Sequence, residues 1–292
     1  MTAAPDQAPS EAAAVTPRLG EAEGRGLLAG KRGLIMGVAN DHSIAWGIAR
    51  AVHGAGAELA FTYQGEAFER RVRPLAESLS ARVVAACDVE DRHSLDRVFA
   101  ALDETWSGLD FVVHAIAYSD RDALKGRYVD TSAENFGRTL LISCYSFTAV
   151  AQRAATLMRA GGSLLTLTFD GAQRVMPNYN IMGVAKAALE ASVRYLAADL
   201  GPQGIRVNAI SAGPMRTLAG SAVGDARYVY NHYRKHAPLR RNVELEDIGG
   251  AALYLLSPLS RAVTGEVHYV DAGFHTIGVP PPDRTNGDGA GK

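Results

Sequence analysis

The sequence predicts an α/β protein whose parallel sheet is covered by helices on both faces, and three observations carry that prediction. Short apolar runs alternate with segments of helical periodicity from Arg32 to Val270. The first run ends in a glycine and opens into a helix, the layout that lets a backbone approach a phosphate. Gly37, Gln64, Asp88, Ala115, Thr168 and Ser211 all fall at the carboxyl ends of the apolar runs, where open parallel sheets bind ligands. The expected class is a Rossmann-type doubly wound parallel sheet of about seven strands in a single domain.

The elements follow in order. Arg32 to Val38 reads as the first strand and Ser43 to Ala55 as the first helix, with Ser43 its N-cap. Gly37, Ser43 and Gly47 depart from the GxGxxG spacing, so an ordinary strand-to-helix turn stands beside the phosphate-binding reading. Ala57 to Thr62 is the second strand, and Gln64 lies just past its end, where such folds meet the adenosine ribose. Gln64 can hydrogen-bond a hydroxyl but brings no charge to a 2′-phosphate. That favours NADH, by a margin that Arg70 and Arg71 narrow.

Ala81 to Ala86 is the third strand. Asp88 at its tip is placed either to accept from an adenine amino group or to cap the helix beginning near Arg92. Leu109 to Ala117 is the fourth strand. His114 inside it reads as a locally satisfied histidine, since no HExxH or Cys/His cluster suggests a metal. One long helix from about Ala133 to Arg159 precedes the fifth strand, Gly162 to Thr168. Ile205 to Ile210 and Glu266 to Val270 complete the sheet.

The chemistry concentrates between Thr168 and Lys186. After Pro177, apolar residues recur at helical spacing through Met182, Ala185, Leu189 and Val193. Tyr179 and Lys186 are then two turns apart on one face, about 10 Å along the axis. The lysine is placed to hold ribose hydroxyls and the tyrosine a substrate oxygen, with the ammonium expected to favour the phenolate by charge proximity. Such a pair is also common as plain surface decoration. Ser211 to Arg241 reads as a lid over an apolar substrate. Its arginines Arg227, Arg234, Arg240 and Arg241, with Lys235, form either a solvated face or a dock for an acidic carrier protein.

Composition narrows the classes. The 292 residues are 47% hydrophobic and 21% charged, enough for a large core. Thirty basic and 31 acidic side chains give a formal charge of −1, which points to neither nucleic acid nor anionic membrane. Cys87 and Cys144 are the only cysteines and form no CxxC, as expected of reduced thiols in a cytoplasmic protein. Residues 1–29 read as a disordered tail. They lack a signal-peptide core, and Asp6, Glu11, Glu21 and Glu23 argue against a transit peptide. Residues 279–292 read as a second disordered tail, which leaves 30–278 as the folded domain.

With these residues in place, the chain resembles the enoyl-acyl-carrier-protein reductases, a divergent branch of the short-chain dehydrogenases. The resemblance rests on GVANDHSIAWGIA from Gly37, AFTYQ ending at Gln64, CDV from Cys87 and HAIA from His114. It extends through PNYNIMGVAKAALEA from Pro177, NAISAGPMRTLA from Asn208 and GEVHYVDAGF from Gly265. Most short-chain dehydrogenases space the tyrosine and lysine more closely, and Met182 occupies the commoner tyrosine position.

The resemblance implies an enzyme of type II fatty-acid synthesis, using NADH to reduce a trans-2-enoyl thioester on acyl carrier protein, and a homotetramer. It implies Tyr179, Lys186 and Phe169 as the catalytic group, with Tyr179 stabilising an enolate. Cofactor contacts are implied for Gly37, Ser43, Ile44 and Gln64, for Asp88, Val89 and Ile116, and for Lys186, Met215 and Thr217. Substrate contacts are implied for Ser119, Phe169, Tyr179 and Ala219. Phe169 stands where bacterial members usually carry a second tyrosine, and the mycobacterial branch is similar in having phenylalanine there. It is therefore expected to be an aromatic wall, leaving chain-length preference and response to biphenyl-ether inhibitors open. Gly224 and Tyr228 replace lysines of related bacterial enzymes, so carrier docking falls mainly to Arg227. The alternatives are a reductase of enoyl-CoA or another thioester, and a non-catalytic NAD-binding scaffold.

Overall fold

In β1 (Arg32–Met36), Leu34 and Met36 enter one hydrophobic core and Ile35 enters the other, and all three are fully buried. That alternation needs cover on both sides, because successive strand residues point to opposite faces. The computed structural model describes residues 26–218, 220 and 224–280. The other strands are β2 (Glu58–Tyr63), β3 (Val83–Ala86), β4 (Phe111–His114), β5 (Gly162–Thr168), β6 (Ile205–Ala212) and β7 (Val267–Val270). All pair in parallel, in the order β3-β2-β1-β4-β5-β6-β7. The order reverses direction between β1 and β4, the switch point of a doubly wound sheet.

Helices α1 (Ile44–Gly54) and α8 (Leu245–Leu256) bury Ile48, Val52, Ile248 and Leu255 in one core. On the other face α3 (Arg92–Trp106), α5 (Ser146–Leu157) and α6 (Asn180–Leu200) contribute Leu102, Phe147, Val150, Leu189 and Val193. Each such side chain is worth about 1.5–3 kcal/mol on burial. Gly47 has a packing role: a Cβ there would lie 2.8 Å from the Leu245 Cβ, so the glycine lets α1 approach α8 closely. The remaining α-helices are α2 (Gly65–Ser78), α4 (Ala133–Leu140) and α7 (Ala226–His236).

The sheet agrees with the sequence expectation in class and strand number, and several boundaries shift. β4 ends at His114, because the chain beyond it turns out of the sheet along the cavity described below. β6 continues through Ser211 and Ala212, held by pairing to β7. The expected single helix from Ala133 to Arg159 is interrupted by a π-helical turn, Leu141–Tyr145, between α4 and α5. The N-terminal boundary also moves. Leu28 is buried in the core and its N–H donates to the Ala55 carbonyl at 2.9 Å, so residues 26–29 belong to the folded body. The rest of the expected tails, 1–25 and 281–292, lies outside the described residues. Among the described residues no helix is long and apolar enough to cross a membrane.

Candidate active site

A cavity of about 890 Å³ opens at the carboxyl ends of β1, β4, β5 and β6. Its walls include Gly37, Ser43 and Ile44 from the first turn, Ile116 and Ser119 after β4, Phe169, Tyr179 and Lys186, and Met215 and Thr217 after β6. Those residues, expected from sequence, are thus brought together. Gln64, Asp88 and Val89 stand at the ends of β2 and β3, along the same edge of the sheet, but do not line the cavity. Ala219 lies outside the described residues.

Gly37 adopts φ +98°, and a Cβ on it would come within 2.1 Å of the Ala115 carbonyl oxygen. Only glycine makes that turn and that approach to the β4 exit. Ser43 occupies the N-cap position of α1, but its hydroxyl does not cap the helix. It accepts from the N–H groups of Ala39 and Asn40 at 2.9 and 3.0 Å, drawing the 37–43 loop closed. Asp88 is not the N-cap of α3 either. Asp91 fills that role by accepting from the His93 N–H, while Asp88 accepts from the Glu90 N–H at 2.9 Å.

Tyr179 is the N-cap residue of α6 rather than a residue of its first turn. It lies between Asn178 (φ +57°) and Asn180 (φ +39°), two side chains of the type that best tolerates left-handed backbone. Asn180 Nδ2 donates to the Ala123 carbonyl at 3.2 Å, and Asn178 Nδ2 to Asp225 Oδ2 at 2.7 Å. The strained Asn-Tyr-Asn turn is thereby pinned to the loop after β4 on one side and to the start of α7 on the other.

The phenolate expected from a neighbouring ammonium is not favoured. Burial pushes the Tyr179 phenol well above its ordinary range, and the negative charge of Glu190 pushes in the same direction. The neutral hydroxyl is therefore the form at physiological pH, a hydrogen-bond donor. Lys186 is 6% exposed and donates from Nζ to the Leu167 carbonyl at 2.8 Å. Burial lowers its pKa to about 8, against the opposing influence of Cys144 and Glu190.

Phe169 lines the cavity. Its ring meets Tyr179 edge-on at 5.1 Å and stacks on Tyr233 of α7 at 6.2 Å. Tyr233 in turn stacks on Phe274 at 3.6 Å and donates its hydroxyl to Asp170 Oδ2 at 3.2 Å. Ser119 is held by α4, accepting from Thr139 Oγ1 at 3.1 Å. The π-helical turn serves the same loop, since the Ser143 hydroxyl bonds both the N–H and the carbonyl of Tyr118 at 2.9 and 3.0 Å. His114 is structural. Its Nε2 lies 2.8 Å from Ser146 Oγ, whose proton goes to the Ile142 carbonyl, and burial lowers its pKa to about 3. Burial likewise pushes the Cys87 thiol up to about 12, leaving it inert. Among the described residues no group of three His, Cys, Asp or Glu side chains could hold a metal ion.

A family profile described as enoyl-(acyl carrier protein) reductase matches residues 37–275. The chain belongs to that family. It is 63% identical to enoyl-[acyl-carrier-protein] reductase [NADH] 2 of Rhizobium meliloti (strain 1021), over 87% of this chain and 95% of the relative. Reductase 1 of the same organism is 62% identical over 90% of this chain and 96% of its own. The solved reductase of Anaplasma phagocytophilum, in complex with NAD, superposes with a TM-score of 0.85 at 58% identity, over 88% of this chain and 98% of that one.

Some residues that build this reductase's site escaped sequence reasoning. Glu190, Asp170 and Tyr233 are buried polar groups, and each resembles an ordinary helix or loop residue until its partners are known. Asn178 and Asn180 did carry a signal: two asparagines flanking a candidate tyrosine suit left-handed turns. Arg241, counted with the basic lid, instead pairs with Asp247 at 2.5 and 2.9 Å and braces the start of α8.

Proposed function

We propose that this protein is an NADH-dependent enoyl-acyl-carrier-protein reductase of fatty-acid synthesis. The observation that carries the reading is the joint presence of neutral Tyr179 and tethered Lys186 in one mainly apolar cavity at the carboxyl edge of the sheet. The residues fit a dinucleotide. Gly37 clears the backbone beside the N-terminus of α1, and the cavity continues from there to Lys186 and Tyr179. Gln64, Asp88 and Val89 extend the same edge towards the adenosine end, and Gln64 brings no charge for a 2′-phosphate.

Bound NADH supplies the hydride that reduces C3 of the trans-2-enoyl thioester. Lys186 holds the ribose hydroxyls with the ammonium protons that Leu167 leaves free. Tyr179 donates its hydroxyl hydrogen bond to the thioester oxygen as negative charge builds there, a contact stronger in the transition state than in the ground state. C2 is protonated afterwards. Phe169 closes one wall of the acyl pocket and donates no proton. Ser119 contacts the substrate, and Ile44, Ile116, Met215 and Thr217 contact the cofactor. The chain beyond β6, with α7, is the lid, and Arg227 is its contact for the acidic carrier.

The assembly is a homotetramer in the cytoplasm. Leu141, Tyr145, Val184 and Tyr195 support an oligomer, as exposed apolar side chains on the π-helical turn and α6. Light scattering of the purified protein tests the stoichiometry. The activity is tested by following NADH absorbance with crotonyl and longer trans-2-enoyl thioesters on carrier protein and on CoA. Oxidation that requires the enoyl thioester supports the reading, and faster turnover of carrier-bound substrate names the carrier. NADH binding without oxidation of any thioester would favour a non-catalytic scaffold.

A further inference from the structure

Glu190 is 2% exposed and lies one helical turn beyond Lys186 on α6. Both of its oxygens are occupied. Thr168 Oγ1 donates to Oε1 at 2.7 Å, and Gln173 Nε2 donates to Oε2. A donor at each oxygen suits the ionised carboxylate, which only accepts, and both donors are neutral. Lys186 donates to Leu167, the residue before Thr168, so two residues one turn apart on α6 grip two successive residues at the end of β5. A buried carboxylate next to a buried ammonium favours the charged form of that ammonium.

We propose that Glu190 is a positioning residue of the reductase site, which fixes the end of β5 and keeps the cofactor-gripping Lys186 in its ammonium form. The inference rests on the proposed role of Lys186 in holding NADH. It assigns the residue a charge function beyond helix packing. Burial of Lys186 works against its proton, and Cys144 first and Glu190 next oppose the loss. The same negative charge helps hold the Tyr179 proton. One carboxylate thus favours both the ammonium of Lys186 and the neutral hydroxyl of Tyr179.

The groups facing this pair come from every neighbouring element. Cys144 of the π-helical turn faces Lys186, and its Sγ lies 3.5 Å from Ser192 Oγ. His114 of β4 also senses Lys186 and stays neutral. Tyr269 of β7 and Tyr179 sense Glu190, and both phenols are raised by burial first and by Glu190 next. Arg174 is a further cation in this neighbourhood, and it lowers the Tyr269 pKa while Glu190, Asp170 and Asp271 raise it.

The test is the pH dependence of NADH affinity, read by NADH fluorescence with the full-length protein. In the wild type, affinity falls as pH rises through about 8, the pKa of Lys186, because the neutral amine no longer attracts the ribose oxygens as a cation. Glu190→Gln keeps the shape and the Thr168 contact but removes the charge, and should move that fall about one pH unit lower. Thr168→Val breaks the tether while leaving the charge, and should lower affinity evenly across pH. A Cys144→Ala background removes any contribution of the thiol, and the Glu190-dependent shift should persist in it. Lys186→Arg carries a cation that does not deprotonate in this range, and should abolish the fall with either residue at position 190.

A fall at the same pH in Glu190→Gln and wild type would overturn the inference, as would a shift that disappears in Cys144→Ala. If Glu190→Gln does not fold, Glu190→Asp retains the charge and must keep the wild-type profile, and a lowered fall there would count against the proposal. Lys186→Ala separates the two levels of the argument. If it leaves NADH affinity unchanged, the role of Lys186 fails, whereas weakened binding with an unmoved Glu190→Gln profile removes only the role of Glu190.

Discussion

The segments that leave β5 and β6 start side by side, paired from Gly162 and Ile205 to Thr168 and Ser211, and then diverge in how they are held. The β5 exit is gripped from within. Leu167 accepts from Lys186, Thr168 and Gln173 donate to Glu190, and the N–H groups of Gln173 and Arg174 both donate to the Asp170 carbonyl. Beyond β6, the Thr217 hydroxyl accepts from the Gly220 N–H, and among the described residues Asn178 donates to Asp225 and Tyr233 to Asp170. Asp225, at the head of α7, adopts φ +55° and gives the helix no side-chain cap. The first segment fixes donors at set positions, while the second supplies a wall that can adapt to what it covers. Substitutions in the first should therefore cost turnover or cofactor affinity, and those on α7 in the second should cost substrate affinity.

The sharpest way to break that contrast is Tyr179→Phe. Removing a positioned donor should lower kcat by about 10²- to 10⁴-fold with little change in NADH affinity, measured by steady-state kinetics and a binding titration. An unchanged rate would take the tyrosine out of the chemistry. Next in size is Lys186→Ala, which should weaken NADH binding by about tenfold or more, the worth of a lost charge-assisted hydrogen bond. The loss should be largest below pH 8, where the wild-type side chain is the ammonium, and should shrink above it, where the wild type has itself lost the proton. A loss constant from pH 6 to pH 9 would show that the charge at position 186 plays no part.

A smaller effect is expected where the two segments touch. Tyr233 is 2% exposed, and its hydroxyl donates to Asp170, itself 3% exposed, beside the ring of Phe169. Tyr233→Phe keeps the stack but leaves Asp170 without that donor, with Arg174 at 3.6 Å as a partner among the described residues. Such a loss costs about 1–3 kcal/mol of stability, readable as a lowered Tm. Because the bond joins α7 to the pocket wall, KM for long acyl chains should rise several-fold while kcat for crotonyl thioester stays near wild type. A loss of kcat equal for all chain lengths would mean that α7 is part of the fixed region after all.

Much of this division was legible in the sequence, for reasons that differ by residue. The strands were readable because continuous apolar runs are what a sheet buried on both faces requires, and β5 was bounded correctly from Gly162 to Thr168. Tyr179 and Lys186 were readable from a spacing of two helical turns, although Tyr179 caps α6 and does not lie inside it. The phenolate expectation failed because spacing reports proximity but not burial, and burial dominates the ionisation of both side chains. Glu190 was invisible for a related reason: on a helix, a glutamate with a partner four residues back looks like solvent-facing decoration until the neighbouring strand is in place. The π-helical turn leaves no periodic mark strong enough to see. It shows in the backbone of Leu141–Tyr145, and its use in the contact of Ser143 with Tyr118.

The finest test of the adaptable segment concerns Arg227, which is exposed on the first turn of α7 and also lines the cavity mouth. The rest of the expected basic patch is thinner than the sequence suggested. Arg241 is committed to Asp247, and the Arg240 guanidinium donates to the Lys235 carbonyl at 2.5 Å. If Arg227 meets an acidic carrier, Arg227→Ala should raise KM about two- to fivefold for carrier-bound enoyl substrate, the scale of an exposed ion pair. KM for the CoA thioester and the affinity for NADH should not change, and raising ionic strength should erase the difference between variant and wild type. An equal rise for both substrates would instead assign Arg227 to the acyl or phosphopantetheine portion common to them. That outcome would move the residue from the docking surface into the pocket and extend the adaptable wall one turn further along α7.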